Sequence, residues 1–336
     1  MIQHLAVVGA TGAVGREFCA LLEERRLPAR RITLVASARS VGKTLRVAGG
    51  TLEVQPLTEA TFQSVDFAVF AAGGAVSRQY APIAVSQGTV VVDNSSAFRM
   101  DAEVPLVVPE VNAADLKQHR GLVANPNCSA AILVLVLAPL HRVNPIQRVV
   151  VSTYQAASGA GAAAMQELRT QTVEYLSGRP VRPVVFPHPI AFNLFSHDSP
   201  VGSDGYNQEE TKLVEETRKI LHAPELAVAP TCVRVPVLRA HSESATLTFE
   251  HPITVELARE TLAGAAGLKV VDDAEQRRFP MPVEASGRDA VLVGRIRRDL
   301  SQPDGRGLQL FLCGDQLRKG AALNAIQILE ALTQPG

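Results

Sequence analysis

Tryptophan is missing from the chain, and 336 residues carry only 11 Phe and 4 Tyr. Aromatics this sparse make no platform for stacking bases. Net charge is missing too: Lys+Arg total 33 and Asp+Glu total 33. A balanced surface gives no electrostatic footprint for a polyanion, so nucleic acid is not expected as a partner. Cysteine is scarce, with four residues at 19, 128, 232 and 313 that form no paired ligand spacing. This pattern predicts no metal site and points to a reducing compartment. Long apolar runs are lacking as well. The longest, 130–140, already contains Pro139 and falls short of the roughly 18 residues that a membrane span needs. Met1 leads straight into an apolar strand, with no basic leader and no small-residue cleavage site. The expectation is a soluble, cytoplasmic protein with no membrane partner. Repeats and low-complexity tracts are absent.

What is present argues for an ordinary folded protein. Hydrophobic residues make up 46% and charged residues 20%, which excludes general disorder, and the length suits two domains. Apolar strands are predicted at 2–9, 32–37, 66–71 and 89–93, with a helix at 14–26 placing Val14, Phe18, Leu21 and Leu22 on one face. Strands this apolar are covered on both sides, as in a parallel α/β sheet. The texture changes near residue 128. A long apolar helix is followed by a strand at 148–155, a small-residue loop at 156–164, and alternating strands at 232–238 and 244–250. That alternation predicts an α+β domain with an antiparallel sheet and one wet face. A helix at 316–332 is expected to return to the first domain. The predicted division is 1–127 plus 315–336, and 128–314.

Gly9, Gly12 and Gly15, in the run Gly9-Ala10-Thr11-Gly12-Ala13-Val14-Gly15, stand between the first strand and the first helix. A glycine turn there lets a pyrophosphate approach backbone N–H groups at a helix N-terminus, so the first domain reads as a Rossmann-type dinucleotide-binding domain. A bare glycine pattern also suits a structural turn. The end of the second strand reads Ser37-Ala38-Arg39-Ser40. It lacks the acidic residue that would bond the ribose hydroxyls of NAD, and Arg39 with two hydroxyls suits a 2′-phosphate, so NADP is favoured. The plainer alternative is a solvated loop arginine.

Asn125-Pro126-Asn127-Cys128-Ser129 precedes the apolar helix directly. This puts the Cys128 thiol in a first helical turn, where aligned N–H groups stabilise a thiolate. Cys19, Cys232 and Cys313 read as small core residues. A thiolate beside a nicotinamide suits aldehyde or acyl chemistry through covalent capture of a carbonyl carbon. His241, in Arg239-Ala240-His241-Ser242-Glu243 just past a strand end, is the candidate proton carrier.

With these residues on the page, the sequence resembles the aspartate-β-semialdehyde dehydrogenase family in its bacterial form. The matching stretches are GATGAVG at 9–15, SARSVGK at 37–43, VDNSSAFRMD at 92–101, VPLVVPEVN at 104–112 and NPNCS at 125–129. They continue with STYQAASGAG at 152–161, GYNQEETK at 205–212, RVPVLRAHSE at 234–243 and GAALNAIQI at 320–328. Nine stretches in register span nearly the whole chain.

The resemblance implies Cys128 as nucleophile, His241 as acid/base, and Gln155 as the amide that orients the thioacyl intermediate. It gives Arg99, Asn127 and Lys212 to phosphate, Glu209 to the substrate ammonium and Arg234 to the substrate carboxylate, a bidentate task suited to a guanidinium. Asn207 is placed to cap the helix carrying Glu209 and Lys212; without the resemblance, such a pair reads as a solvated face. Thr11, Ala13 and Val14 fall in the cofactor turn, and Asn94, Ser95, Ser96, Ser158, Gly159, Gly161 and Asn324 sit where the family holds the nicotinamide half. Two departures are small: Asn207 replaces a common Thr, and Ser129-Ala130-Ala131 follows Cys128 where a more polar sequence is usual. The implied activity is reversible reductive dephosphorylation of aspartyl β-phosphate by NADPH to aspartate β-semialdehyde, phosphate and NADP+. It belongs to lysine or diaminopimelate, threonine and methionine synthesis. The implied assembly is a homodimer through the second domain, with pairing to a tetramer as the alternative. The rivals are N-acetyl-γ-glutamyl-phosphate reductase, against which GYNQEETK and RVPVLRAHSE speak, and a silent paralogue serving as a binding module.

Overall fold

The computed structural model describes residues 1–334 and divides into two compact units, Met1–Asn127 with the chain from Gly320 onward, and Cys128–Lys319. Pro335 and Gly336, the end of the expected 315–336 return, lie outside the described residues.

In the first unit, β1 (Ile2–Val8), β2 (Ala29–Ala36), β3 (Thr44–Val47), β4 (Gly50–Pro56), β5 (Phe67–Phe70), β6 (Val90–Asp93) and β7 (Leu122–Ala124) form one sheet in the order β3-β4-β2-β1-β5-β6-β7. All neighbours are parallel except β3 and β4. Both faces are buried, which explains the near-continuous apolar strands. Leu5 and Val7 join Phe18, Leu21, Ile326 and Leu329 in one core, whereas Ala6 and Val8 join Phe62, Phe70, Ala81 and Ala84 in the other. The strand period of two sends alternate residues to opposite layers.

The second unit opens with the helix Cys128–Val143, whose residues are buried almost all round. It is packed between the helices Gln208–Ile220 and Val255–Ala263 and the second sheet, as a helix apolar on every side must be. That sheet contains β8 (Ile146–Gln155), β9 (Phe195–Ser196), β10 (Ala227–Arg234), β11 (His241–Phe249), β12 (Leu268–Val270), β13 (Val291–Arg298) and β14 (Gly307–Gly314), in the order β12-β13-β14-β11-β8-β10-β9. Its outward face keeps Val150 and Tyr154 exposed, with Ser152, Ser244 and Phe311 half-buried beside them.

Several local expectations shift. The sheet is mixed, because β10 runs parallel to β8. The strand expected at 232–238 ends at Arg234, two residues ahead of Pro236, which has no N–H to donate to a ladder. His241 therefore opens β11 instead of following a strand. The small-residue loop is shorter than expected, since a helix starts at Ala162. The expected helix at 316–332 is Leu323–Thr333, preceded by a π-helical stretch at Arg318–Ala322. Residues 315–319 cluster with the second unit. Asp315, fully buried, holds them there by accepting from Arg239 Nε and the Gly287 N–H at 2.6 Å each. Among the described residues, no helix is long and apolar enough to cross a membrane, and no group of three or more His, Cys, Asp or Glu side chains could hold a metal.

Candidate active site

In the first unit the glycine turn is a place where side chains cannot fit. Gly9 has φ +85°, and a Cβ there would lie 2.6 Å from the Ala71 carbonyl oxygen; a Cβ on Gly15 would lie 2.3 Å from the Gly9 carbonyl oxygen. Gly12 is the N-cap of the helix Ala13–Glu24, so Ala13, Val14 and Gly15 form its first turn. The orphan N–H groups of that turn face outward for an anion. Thr11 Oγ1 donates to Ser40 Oγ at 3.2 Å, linking the turn to the end of β2. Around them lies a cleft of about 530 Å³ lined by Gly9, Thr11, Gly12, Ser37, Arg39, Leu57, Ala71 and Tyr80 among others, with no carboxylate in its walls. An absent Cβ at each close approach, a helix N-terminus and an exposed Arg39 together fit a dinucleotide phosphate chain. Leu57 and Tyr80 carry no motif and were not legible in the sequence.

Asn94, Ser95 and Ser96 follow β6. The fully buried Asp93 fixes this loop by accepting from Ser77 Oγ and Ser95 Oγ at 2.7 Å and from the Ser95 N–H at 3.0 Å. Arg99 and Asn127 are buried, as is Asn324 near the start of the returning helix.

The second unit gathers the other candidates. β8 and β10 are in register with Gln155 beside Arg234, and Tyr154 lies opposite Ser242, the residue after His241. Three strand ends thus deliver an amide, a guanidinium and an imidazole to one end of the sheet. Cys128 is the first residue of its helix and is half-buried. Asn207 caps the helix Gln208–Ile220: its side chain accepts from the Glu210 N–H, and Glu210 Oε2 accepts from the Asn207 N–H, both at 3.0 Å. Such a capping box contributes about 1 kcal/mol. It presents Glu209 inward, where Oε1 accepts from Gln155 Nε2 at 3.1 Å and Oε2 meets Lys212 Nζ at 3.3 Å. Thr153 Oγ1 donates to Gln155 Oε1 at 3.2 Å, so both ends of that amide are held.

His241 is fully buried. Its Nδ1 accepts from the Ala156 N–H at 3.0 Å, so the neutral ring carries its proton on Nε2, which has no hydrogen-bond partner. Burial and then the Arg234 charge hold the imidazole pKa down at about 3, which keeps the ring neutral. Gly159 lies against it: a Cβ there would sit 3.0 Å from His241 Cε1 and 3.1 Å from Arg234 Nη1. Ser158 accepts from Gln316 Nε2, and Gly161, at φ +93°, is the N-cap of the helix Ala162–Leu176. Arg234 Nε donates to Asp198 Oδ1 at 2.9 Å, and its guanidinium stands 5.6 Å from the Phe186 ring centre. The Asp198 pKa is lowered because the Arg234 charge and hydrogen bond outweigh a burial effect that pushes it up. Asp198 and the neighbouring His197, which burial and Arg234 hold below the usual imidazole range, were not singled out from sequence. They stand in a loop without periodicity.

Residues 4–119 match the semialdehyde dehydrogenase NAD binding domain family, and residues 137–319 match the semialdehyde dehydrogenase dimerisation domain family. The aspartate-semialdehyde dehydrogenase of Prochlorococcus marinus is 52% identical over 98% of this chain and 95% of its own length. The chain belongs to the aspartate-semialdehyde dehydrogenase family. The fold agrees. The Vibrio cholerae aspartate semialdehyde dehydrogenase II structure, complexed with ASA, superposes with a TM-score of 0.95 at 42% identity, covering 99% of this chain and 98% of that one. A Candida albicans family structure with NADP gives a TM-score of 0.76 at 25% identity, covering 99% and 98%. Membership makes this chain a nicotinamide-dependent oxidoreductase with a Rossmann-like domain and a dimerisation domain.

Proposed function

We propose that the chain interconverts aspartyl β-phosphate and aspartate β-semialdehyde, using NADP(H) and releasing or taking up phosphate. The observation that carries this reading is the meeting of Gln155, Arg234, His241 and Glu209 at one end of the second sheet. It is supported by the family membership. Arg234, held in plane by Asp198, has the geometry to clamp the substrate carboxylate, and the buried Glu209 carboxylate suits its ammonium. An N-acetylated substrate would leave Glu209 without that cation, which argues against the N-acetyl-γ-glutamyl-phosphate reaction.

In the reductive direction the Cys128 thiolate attacks the β-carbonyl carbon, a C–S bond forms, the C–O bond to phosphate breaks, and a thioester remains on the enzyme. Arg99, Asn127 and Lys212 receive the phosphate. When bound, the reduced nicotinamide is the hydride donor. Gln155, held at both ends, orients the thioacyl oxygen. As the proposed acid/base, His241 presents its Nε2–H to the oxygen on which charge develops, and holds that oxygen by the same hydrogen bond in the reverse direction. Arg39 together with Ser37 and Ser40 favours the 2′-phosphate of NADP. Asn94, Ser95, Ser96, Ser158, Gly159, Gly161 and Asn324 are assigned to the nicotinamide side.

The exposed face around Val150 and Tyr154 supports a homodimer formed by pairing second sheets. The absence of a disulfide among the described residues supports a reducing compartment, the cytoplasm, and the family membership supports a place in lysine or diaminopimelate, threonine and methionine synthesis. The test is phosphate-dependent reduction of NADP+ with aspartate semialdehyde, run beside N-acetylglutamate semialdehyde. Turnover of the first alone is expected, and turnover of the second alone overturns the reading.

A further inference from the structure

Asn125 stands three residues before Cys128 and is fully buried, with every polar group on it bonded. Its N–H donates to the Asp93 carbonyl at 2.8 Å, and its carbonyl accepts from Arg99 Nε at 2.9 Å. Its side-chain Nδ2 donates to Asn94 Oδ1 at 2.6 Å and to the Ala321 carbonyl at 3.1 Å. Its Oδ1 accepts from Asn324 Nδ2 at 2.6 Å. The chain of amides continues, because Asn94 Nδ2 donates to the Phe70 carbonyl at 3.1 Å. Three side-chain amides from three separate segments therefore run head to tail, Asn324 to Asn125 to Asn94. Aligned amides polarise one another, so each bond strengthens the next.

The same asparagines hold Arg99 with their backbones. While Asn125 O takes Arg99 Nε, Asn94 O takes Arg99 Nη2 at 2.8 Å. Two carbonyls on one guanidinium set its plane, and their separation is held by the hydrogen bond between the two side-chain amides. Asp93 locks the loop from its other side through Ser95. An arginine side chain otherwise carries about 2 kcal/mol of rotamer entropy, and a group immobilised in advance does not lose that freedom when an anion arrives.

We infer that Asn125 is the positioning residue of the phosphate site, acting through Arg99 by tying the loop after β6 to the loop after β7. This rests on the reading of Arg99 as a phosphate residue. The side chains of Asn94 and Asn324 then help to build the arginine's cradle in addition to their proposed place on the nicotinamide side.

The test is a double-variant comparison of the phosphate KM, in the direction that oxidises aspartate semialdehyde, for the parent, Asn125→Ala, Arg99→Ala and the combination. Loss of a bond that organises a charged group predicts a rise in phosphate KM of about 10-fold for Asn125→Ala. In the Arg99→Ala background, the same substitution should change KM by less than about twofold, since residues that act through one another are non-additive. A purely structural role would lower thermal stability and leave that coupling absent. An unchanged phosphate KM in folded Asn125→Ala, or an undiminished effect in the Arg99→Ala background, overturns the inference. Should Asn125→Ala fail to fold, Asn94→Ala removes the oxygen that receives the Asn125 amide, together with the bond to the Phe70 carbonyl, and carries the same expectation for the phosphate KM measured at saturating NADP+. A parent protein without phosphate-dependent turnover overturns the functional reading itself, whereas parent turnover with unaltered KM in the variants overturns only the role of Asn125.

Discussion

The nucleotide cleft and the catalytic cluster are built by opposite means. The cleft is made by leaving side chains out: Gly9 and Gly15 bring backbone within reach of backbone, and the recognising groups are N–H donors of a helix end. The cluster is made by side chains that hold one another, Thr153 on Gln155, Gln155 on Glu209, Glu209 on Lys212, and Asp198 on Arg234. The first kind of site fails by addition of atoms, the second by their removal.

The sharpest way to break that contrast is to remove one atom from the cluster. Cys128→Ala deletes the attacking sulfur and should lower kcat/KM by about 10⁴-fold or more with the fold intact. Retained turnover, measured with a protein of unaltered circular dichroism, would remove Cys128 from the mechanism. His241→Asn should lower kcat by about 10²- to 10⁴-fold. Its KM for aspartate semialdehyde should hardly move, and a change confined to KM would show that the imidazole only binds.

Adding atoms tests the other side. Gly15→Ala places a Cβ against the Gly9 carbonyl, a clash with backbone that nothing flexible can relieve, and should cost about 1–3 kcal/mol of stability. Gly12→Ala, whose Cβ would stand 3.4 Å from its nearest neighbour, should cost less, about 0.5–1 kcal/mol, because Ala caps a helix N-terminus more poorly than Gly. Equal denaturation midpoints for the two variants would mean that the turn relaxes. Arg39→Ala removes a side chain from the cleft's rim and should weaken NADP about 10-fold relative to NAD; equal loss for both dinucleotides would show that Arg39 does not read the 2′-phosphate.

An effect that depends on pH lies behind the catalytic row. Glu243, on the same strand face as His241, is fully buried, neither of its oxygens has a hydrogen-bond partner, and burial raises its pKa well above the usual carboxylate range. A carboxyl that keeps its proton in the folded state but loses it when unfolded subtracts stability as pH rises above the unfolded value of about 4.3. Glu243→Gln needs no such proton. Its stability relative to the parent should therefore grow as pH rises above about 4.3, read as denaturation midpoints across a pH series, and a flat difference would place a charged Glu243 in the fold.

The two kinds of site also differed in how they could be read. Backbone sites leave a signature in the chain, since a glycine spacing between an apolar strand and a helix states both place and purpose, and the parallel sheet followed from strands apolar on both faces. The cluster left less. Glu209 and Lys212 alone resemble any exposed helix pair, and only the capping box and the facing Gln155 turn them inward. Asp198 and Asn125 gain their meaning from partners 36 and 31 residues away, a separation that periodicity does not encode. The displaced end of β10 and the late start of the final helix reflect tertiary anchoring, by Asp315 above all, which local propensity does not record.

One property of the four thiols bears on survival under oxidants. Burial pushes the pKa of Cys19 and Cys313 up to about 12 and that of Cys232 upward as well, so none of the three supplies a thiolate at neutral pH to resolve an oxidised neighbour. Peroxide that reaches the half-buried Cys128 should form a sulfenic acid whose repair depends on a small external thiol, and further oxidant should carry it on to sulfinic acid, beyond such rescue. Intact mass spectrometry after graded peroxide should accordingly record additions of one, then two oxygens at residue 128 without an internal disulfide, and activity should return on adding glutathione only while the first of these species dominates.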